Sequence, residues 1–108
     1  MAWLMLFVAG LFEICWAMGL KFSNGFSDLR WTLFTLVTLA ISMGLLAAAL
    51  RTLPVGTAYA VWTGIGAVGT AILGMAILGE PREPMRLVFI GLIVAGIVGL
   101  RLLSRNPI

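Results

Sequence analysis

Long apolar runs fill almost all of this chain and leave it one way to fold. They extend from Met1 to Leu20 (MAWLMLFVAGLFEICWAMGL), then over Trp31 to Leu50, Val55 to Gly79 and Met85 to Leu103, within 108 residues in all. At a rise of about 1.5 Å per residue, about 20 helical residues cross a hydrocarbon core roughly 30 Å thick. A helix also satisfies its own backbone donors and acceptors where no water can. The expected fold is therefore an all-α membrane protein, one domain over residues 1–108, with four transmembrane helices at approximately 1–20, 31–50, 55–79 and 85–103. Hydrophobic residues make up 62% of the chain and charged ones only 10%, outside the range of a soluble domain. The pieces left over are the loop KFSNGFSDLR, a break at Arg51 to Pro54, the charged turn Glu80 to Pro84, and the tail Ser104 to Ile108. None of them has room for a soluble domain. The first run lacks a basic start and carries an acid, so it reads as a retained helix rather than a signal peptide.

That acid, Glu13, is the costliest residue in the sequence. A helix starting near Met1 places it about 18 Å deep, close to the bilayer midplane. Moving a carboxylate there costs on the order of 2.5 to 3.5 kcal/mol, so it should face a partner, a cavity or an ion path. Two readings fit: a functional site, or a protonated acid acting as glue between helices. Gly10, Trp16 and Ala17 share its helical face, and the Trp16 indole is a donor one turn away. On the second run Thr35, Thr38 and Ser42 form a polar stripe. Hydroxyls in membrane helices commonly bond their own backbone, the reading given to Thr35 and Thr38, whereas Ser42 lies deepest and is the better site candidate. The third run holds six glycines in the 24 residues from Gly56 to Gly79, which implies close helix approach, a bend, or backbone that shifts. Within it Tyr59 and Trp62 face one way, too deep for an interfacial belt, and Gly66 follows one turn on. Trp3 and Trp31, at span ends, read as belt anchors.

Charge, cysteine and helix-face patterns bear on assembly. With four alternating spans, Arg51, Arg101 and Arg105 fall on the side of the termini and Lys21, Arg30, Arg82 and Arg86 on the other, three against four. So small a bias specifies orientation weakly and permits both orientations, hence an antiparallel pair of identical chains. Four short helices also leave little room for a solute path inside one chain. Gly91, Ala95 and Gly99 repeat at four-residue spacing, a small-xxx-small pattern that suits either a dimer seam or packing within one subunit. Cys15 is the only cysteine and there is no histidine, which excludes an internal disulfide and a His/Cys metal site. No nucleophile stands beside a base and no phosphate loop is present, so nothing points to an enzyme or to a cofactor. The net charge of +3 is ordinary membrane flanking rather than a nucleic-acid patch.

Two stretches resemble the small multidrug resistance family of four-helix bacterial exporters. One is Glu13, Trp16, Ala17, Leu20 and Lys21 with Ser23, Gly25 and Phe26 following; the other is Pro54, Gly56, Thr57, Ala58, Tyr59, Ala60, Trp62, Gly64 and Gly66. The likeness covers essentially the whole chain, and Trp16 resembles the guanidinium-exporter subtype rather than the exporters of bulky quaternary ammonium drugs. It implies a proton-coupled antiporter of the bacterial inner membrane, built as an antiparallel, dual-topology homodimer with both copies of Glu13 in one site. Glu13 would bind protons or substrate, Trp16, Ser42, Tyr59 and Trp62 would form its hydrogen-bonding shell, and Gly10 would leave room beside it. Gly64, Gly66 and Gly69 would serve the conformational change, and the Gly91, Ala95, Gly99 face the dimer contact. Guanidinium is planar, permanently cationic and forked, which suits carboxylates, and protons would compete with it for them. A drug exporter of the same family and a non-transporting membrane scaffold are the alternatives, separated by whether guanidinium, tetraalkylammonium or neither gives coupled flux.

Overall fold

The computed structural model describes residues 1–104. Among them are four helices and no strand: α1 (Ala2–Phe22), α2 (Leu29–Ala49), α3 (Val55–Ile77) and α4 (Pro84–Leu103). Each is long and apolar enough to cross a membrane. Arg105, included in the charge count, lies outside the described residues.

Local chemistry sets the helix ends. Helix α1 runs past Leu20 to take in Lys21, whose cation suits the negative end of the helix dipole. Asn24, Gly25 and Phe26 then turn the chain with φ of 50°, 70° and 68°. Ser23 staples this turn: its Oγ–H donates to the Leu20 carbonyl at 2.7 Å, and its oxygen accepts from the Phe26 N–H at 3.1 Å. Helix α2 opens at Leu29, before the apolar run, because the Asp28 carboxylate accepts the Arg30 N–H at 3.1 Å as an N-cap. Helix α3 stops at Ile77, short of Gly79, where φ of +70° leaves the helical region. The turn after it folds back: Arg82 Nη2 donates to the Met75 carbonyl at 2.9 Å, and the Glu80 carboxylate lies over Gly74. Pro84 opens α4 at a first-turn position, where a missing N–H loses nothing.

Helix α1 is the centre of the bundle. It packs against α2 on one side and α3 on the other, while α4 lies against α3. Leu6 and Ala9 of α1, Leu46 and Ala49 of α2, and Ala58, Val61 and Trp62 of α3 form the core together with Leu53. Helix α4 buries none of its residues. Glycines set the spacing. A Cβ at Gly10 would strike Ile65, one at Gly69 would strike Ile14, and one at Gly64 would meet Ile97 at 2.9 Å. The pairs between α1 and α3 rise together along the chain, so these helices run parallel.

Two tryptophans expected at the membrane interface differ. Trp31 is half-buried and meets Phe22 and Phe34, with ring centroids 5.0 and 5.5 Å away. Trp3 is only 7% exposed: its Nε1–H donates to Ser104 Oγ at 3.2 Å, and the Arg101 guanidinium sits over its ring at 5.1 Å. It is an interior clasp between the start of α1 and the end of α4 rather than a belt anchor. The same contacts put Arg101 in the last turn of α4.

Candidate functional site

Glu13 sits midway along α1, half-buried, with its carboxyl group packed onto Gly66 of α3. Any side chain at residue 66 would occupy the space the carboxyl fills. Glu13 Oε1 is fully shielded from solvent and has no hydrogen-bond partner among the described residues. Trp16 Nε1, one turn further along α1, is in the same condition. An acceptor and a donor, both buried and both unsatisfied, therefore lie near each other on α1 without bonding. Native interiors tolerate few such atoms, because each carries the desolvation penalty of a lost hydrogen bond, about 1 to 3 kcal/mol.

The other candidate donors are arranged differently from the expected shell. Trp62 Nε1–H donates to Ser42 Oγ at 2.9 Å, and the Ser42 O–H donates to the Ala9 carbonyl at 2.7 Å. Both bonds are buried, and they join α3 to α2 to α1. In a helix the Ala9 carbonyl is the one that receives the Glu13 N–H, so this relay ends on the turn that carries the carboxylate. Within one chain Ser42 and Trp62 thus support the backbone beneath Glu13 rather than bonding its side chain. Thr35 and Thr38 donate to the carbonyls of Trp31 and Phe34, each at 2.7 Å, the back-bonding expected of them. Tyr59 packs on Trp62 with centroids 5.7 Å apart, yet it is 57% exposed on the outer side of α3. Gly10 lies one turn before Glu13, and Ile65 takes up its room; the glycine beside the carboxyl is Gly66.

The structure thus sets the Glu13 carboxyl on Gly66, with Trp16 one turn along α1, and Ser42 with Trp62 in a second place, joined through Ala9. Tyr59 stays outside both. The Ala9 carbonyl carried no signal in the sequence, since any residue supplies such an acceptor. Gly64 and Gly69 hold Ile97 and Ile14, so the three glycines named for conformational change are all points of close packing. On α4, Gly91 and Ala95 are exposed and Gly99 half-buried, and a Cβ at Gly91 or Gly99 would meet nothing within 4 Å. Among the described residues, then, nothing packs onto Gly91 or Gly99.

The family model of the Small Multidrug Resistance protein matches residues 1–93. The chain belongs to the small multidrug resistance family. It is a multi-pass membrane protein, with four spans as in that family. Several similar curated proteins share one functional name. A guanidinium exporter of Yersinia pseudotuberculosis is 60% identical over 104 residues, covering 96% of this chain and 100% of the relative. A guanidinium exporter of Salmonella typhimurium is 58% identical over 102 residues, covering 94% and 97%. One of Citrobacter freundii is 56% identical over 102 residues, with the same coverage.

Proposed function

We propose that this protein is a proton-coupled antiporter that exports guanidinium and related small guanidinyl cations across the bacterial inner membrane. The observation that carries the reading is Glu13 itself: the one carboxylate in any of the four helices, with a buried oxygen that lacks a donor. A guanidinium ion brings N–H donors in a plane and a positive charge, which answers both deficits at once. The full-length likeness to guanidinium exporters supports that cation over a bulkier one. Trp16 supports it too, since a wide indole beside the carboxylate leaves space for a small flat ion.

Transport then follows from competition. A carboxylate that takes a proton no longer attracts the cation, so protons arriving on one side release substrate and substrate arriving on the other releases protons. The functional unit in this reading is an antiparallel homodimer. Its support is the α4 stripe, where no described residue packs onto Gly91 or Gly99, the near-equal charge count, and the thinness of the bundle. Its Cα atoms extend only 17 Å in the shortest direction, about two layers of packed helices. In such a pair the exposed Tyr59 would face the partner, and Glu13 of the partner subunit would complete the site.

Supported-membrane electrophysiology on proteoliposomes tests the proposal. Guanidinium pulses should give proton-coupled currents, tetraalkylammonium pulses of equal concentration far smaller ones, and Glu13→Gln none. Coupled guanidinium current in the Gln variant would overturn the mechanism, and larger currents with tetraalkylammonium would overturn the substrate.

A further inference from the structure

Helices α1, α3 and α4 enclose an apolar groove of about 360 Å³, lined along its length by Phe7, Ile65, Ile97 and Val98 and closed at one end by Trp3 and Arg101. Only the arginine among these is charged. Its guanidinium carbon sits 5.1 Å from the centroid of the Trp3 ring, a cation–π contact.

The distribution of acids makes this arginine unusual. Asp28, Glu80 and Glu83 all lie in the two connections on the opposite side of the bundle, and Glu13 is at mid-depth. On that opposite side three of the four cations have partners: Arg30 pairs with Asp28 and Arg86 with Glu83, each at 3.7 Å, while Arg82 donates to the Met75 carbonyl. On the side of Trp3 and Arg101 the described residues include no carboxylate side chain at all, although Arg51 lies there as well. Among the described residues that end of the protein is positive without a compensating carboxylate, at the end of the spans, where lipid headgroups sit.

We propose that this groove is a selective site for an anionic phospholipid of the surrounding bilayer, with an acyl chain along Phe7, Ile65 and Ile97 and the phosphate on the Arg101 guanidinium. The apolar walls accept any acyl chain; the uncompensated arginine at the mouth selects the headgroup by charge. A second copy of this chain is the rival occupant: Val98 and Leu102, which also line the groove, lie within about 60° of Ala95 around α4, at about 100° per residue, so the groove borders the free small-residue stripe. The site is independent of the transport reading.

The test is lipid selectivity, measured by electron spin resonance on the full-length protein in phosphatidylcholine bilayers at low salt. Trace spin-labelled phosphatidylglycerol is compared with spin-labelled phosphatidylcholine in the motionally restricted fraction. One arginine near a headgroup should give about a fivefold preference for the anionic lipid. Arg101→Gln should remove most of it, and Arg101→Lys, which keeps the charge and can stay over Trp3, should retain it. Val98→Trp, filling the groove, should reduce the restricted fraction of both lipids. Equal association of the two lipids with the unaltered protein would overturn the site, as a partner subunit covering the groove would produce. Undiminished preference in Arg101→Gln, or an unchanged restricted fraction in Val98→Trp, would overturn it as well.

Discussion

Ser42 is bonded unlike the hydroxyls beside it on α2. Thr35 and Thr38 spend their protons on their own helix, whereas Ser42 reaches the Ala9 carbonyl of α1 and receives the Trp62 indole of α3. Ser42→Ala leaves Trp62 Nε1 without its acceptor in a dry interior. The variant should lose about 1 kcal/mol of stability, typical of a hydrogen bond within a membrane bundle, as read from its unfolding midpoint in mixed micelles. Ser42→Thr keeps the hydroxyl, and a loss equal to that of the alanine variant would refute the relay's contribution. Trp16→Gly should broaden the substrate range towards bulkier cations; an unchanged profile in the same current recordings would remove the indole as a determinant of selectivity. Much at this scale was legible beforehand. Glu13 stood out by cost and Ser42 by depth. The partners were not legible, because which donor meets which acceptor depends on how far each helix is rotated about its axis, and apolar patterning fixes that only coarsely. Trp3 shows the limit: its place near a chain end suggested an interfacial anchor, while it is buried in the core cluster and bonds Ser104, about a hundred residues away in sequence.

At the scale of helices, glycine does the spacing. Ile65 enters the notch at Gly10, the Glu13 carboxyl the notch at Gly66, and Ile14 the notch at Gly69, so α1 and α3 touch almost backbone to side chain. Gly66→Ala should therefore push the carboxyl out of place. A misplacement of about 1 Å at a reacting group can lower rates roughly a hundredfold, and we expect a fall of that order in guanidinium transport. Gly44→Ala is the control, since a Cβ there meets nothing within 4 Å; its transport should stay close to that of the unaltered protein. Comparable losses in both variants would mean that glycine content rather than the Glu13 contact matters. On α4, Gly91→Leu places bulk on a face unused by its own chain, so the monomer should fold as before while crosslinking reports less dimer. Span number and rough extents were readable from the apolar runs. The ends were not, because capping by Asp28, the left-handed φ at Gly79 and the first-turn Pro84 override apolarity within a residue or two.

At the scale of the whole molecule, orientation rests on very few charges. Three cations on one side against four on the other is close to balance, so a reporter fused to the C-terminus should be detected on both sides of the membrane. Adding positive charge on the terminal side with Thr52→Lys and Val55→Lys, both at exposed positions, should drive most copies into one orientation and lower transport; single-sided labelling of the unaltered chain would refute dual insertion. Competition sets the sign of the pH response. Lowering pH fills carboxylates with protons, so apparent guanidinium affinity should weaken as pH falls and strengthen as it rises, a trend that Glu13→Gln should abolish in a binding titration. The chain from Trp62 through Ser42 to Ala9 has a mechanical corollary. It stitches the first three helices together at the level of the carboxylate, so they swing as one plate unless those two bonds break. In the proposed transport cycle helix α4, outside that stitching and with no buried residue, would serve as the axle, and access to Glu13 would change sides by tilting the plate rather than by bending the helix that carries it.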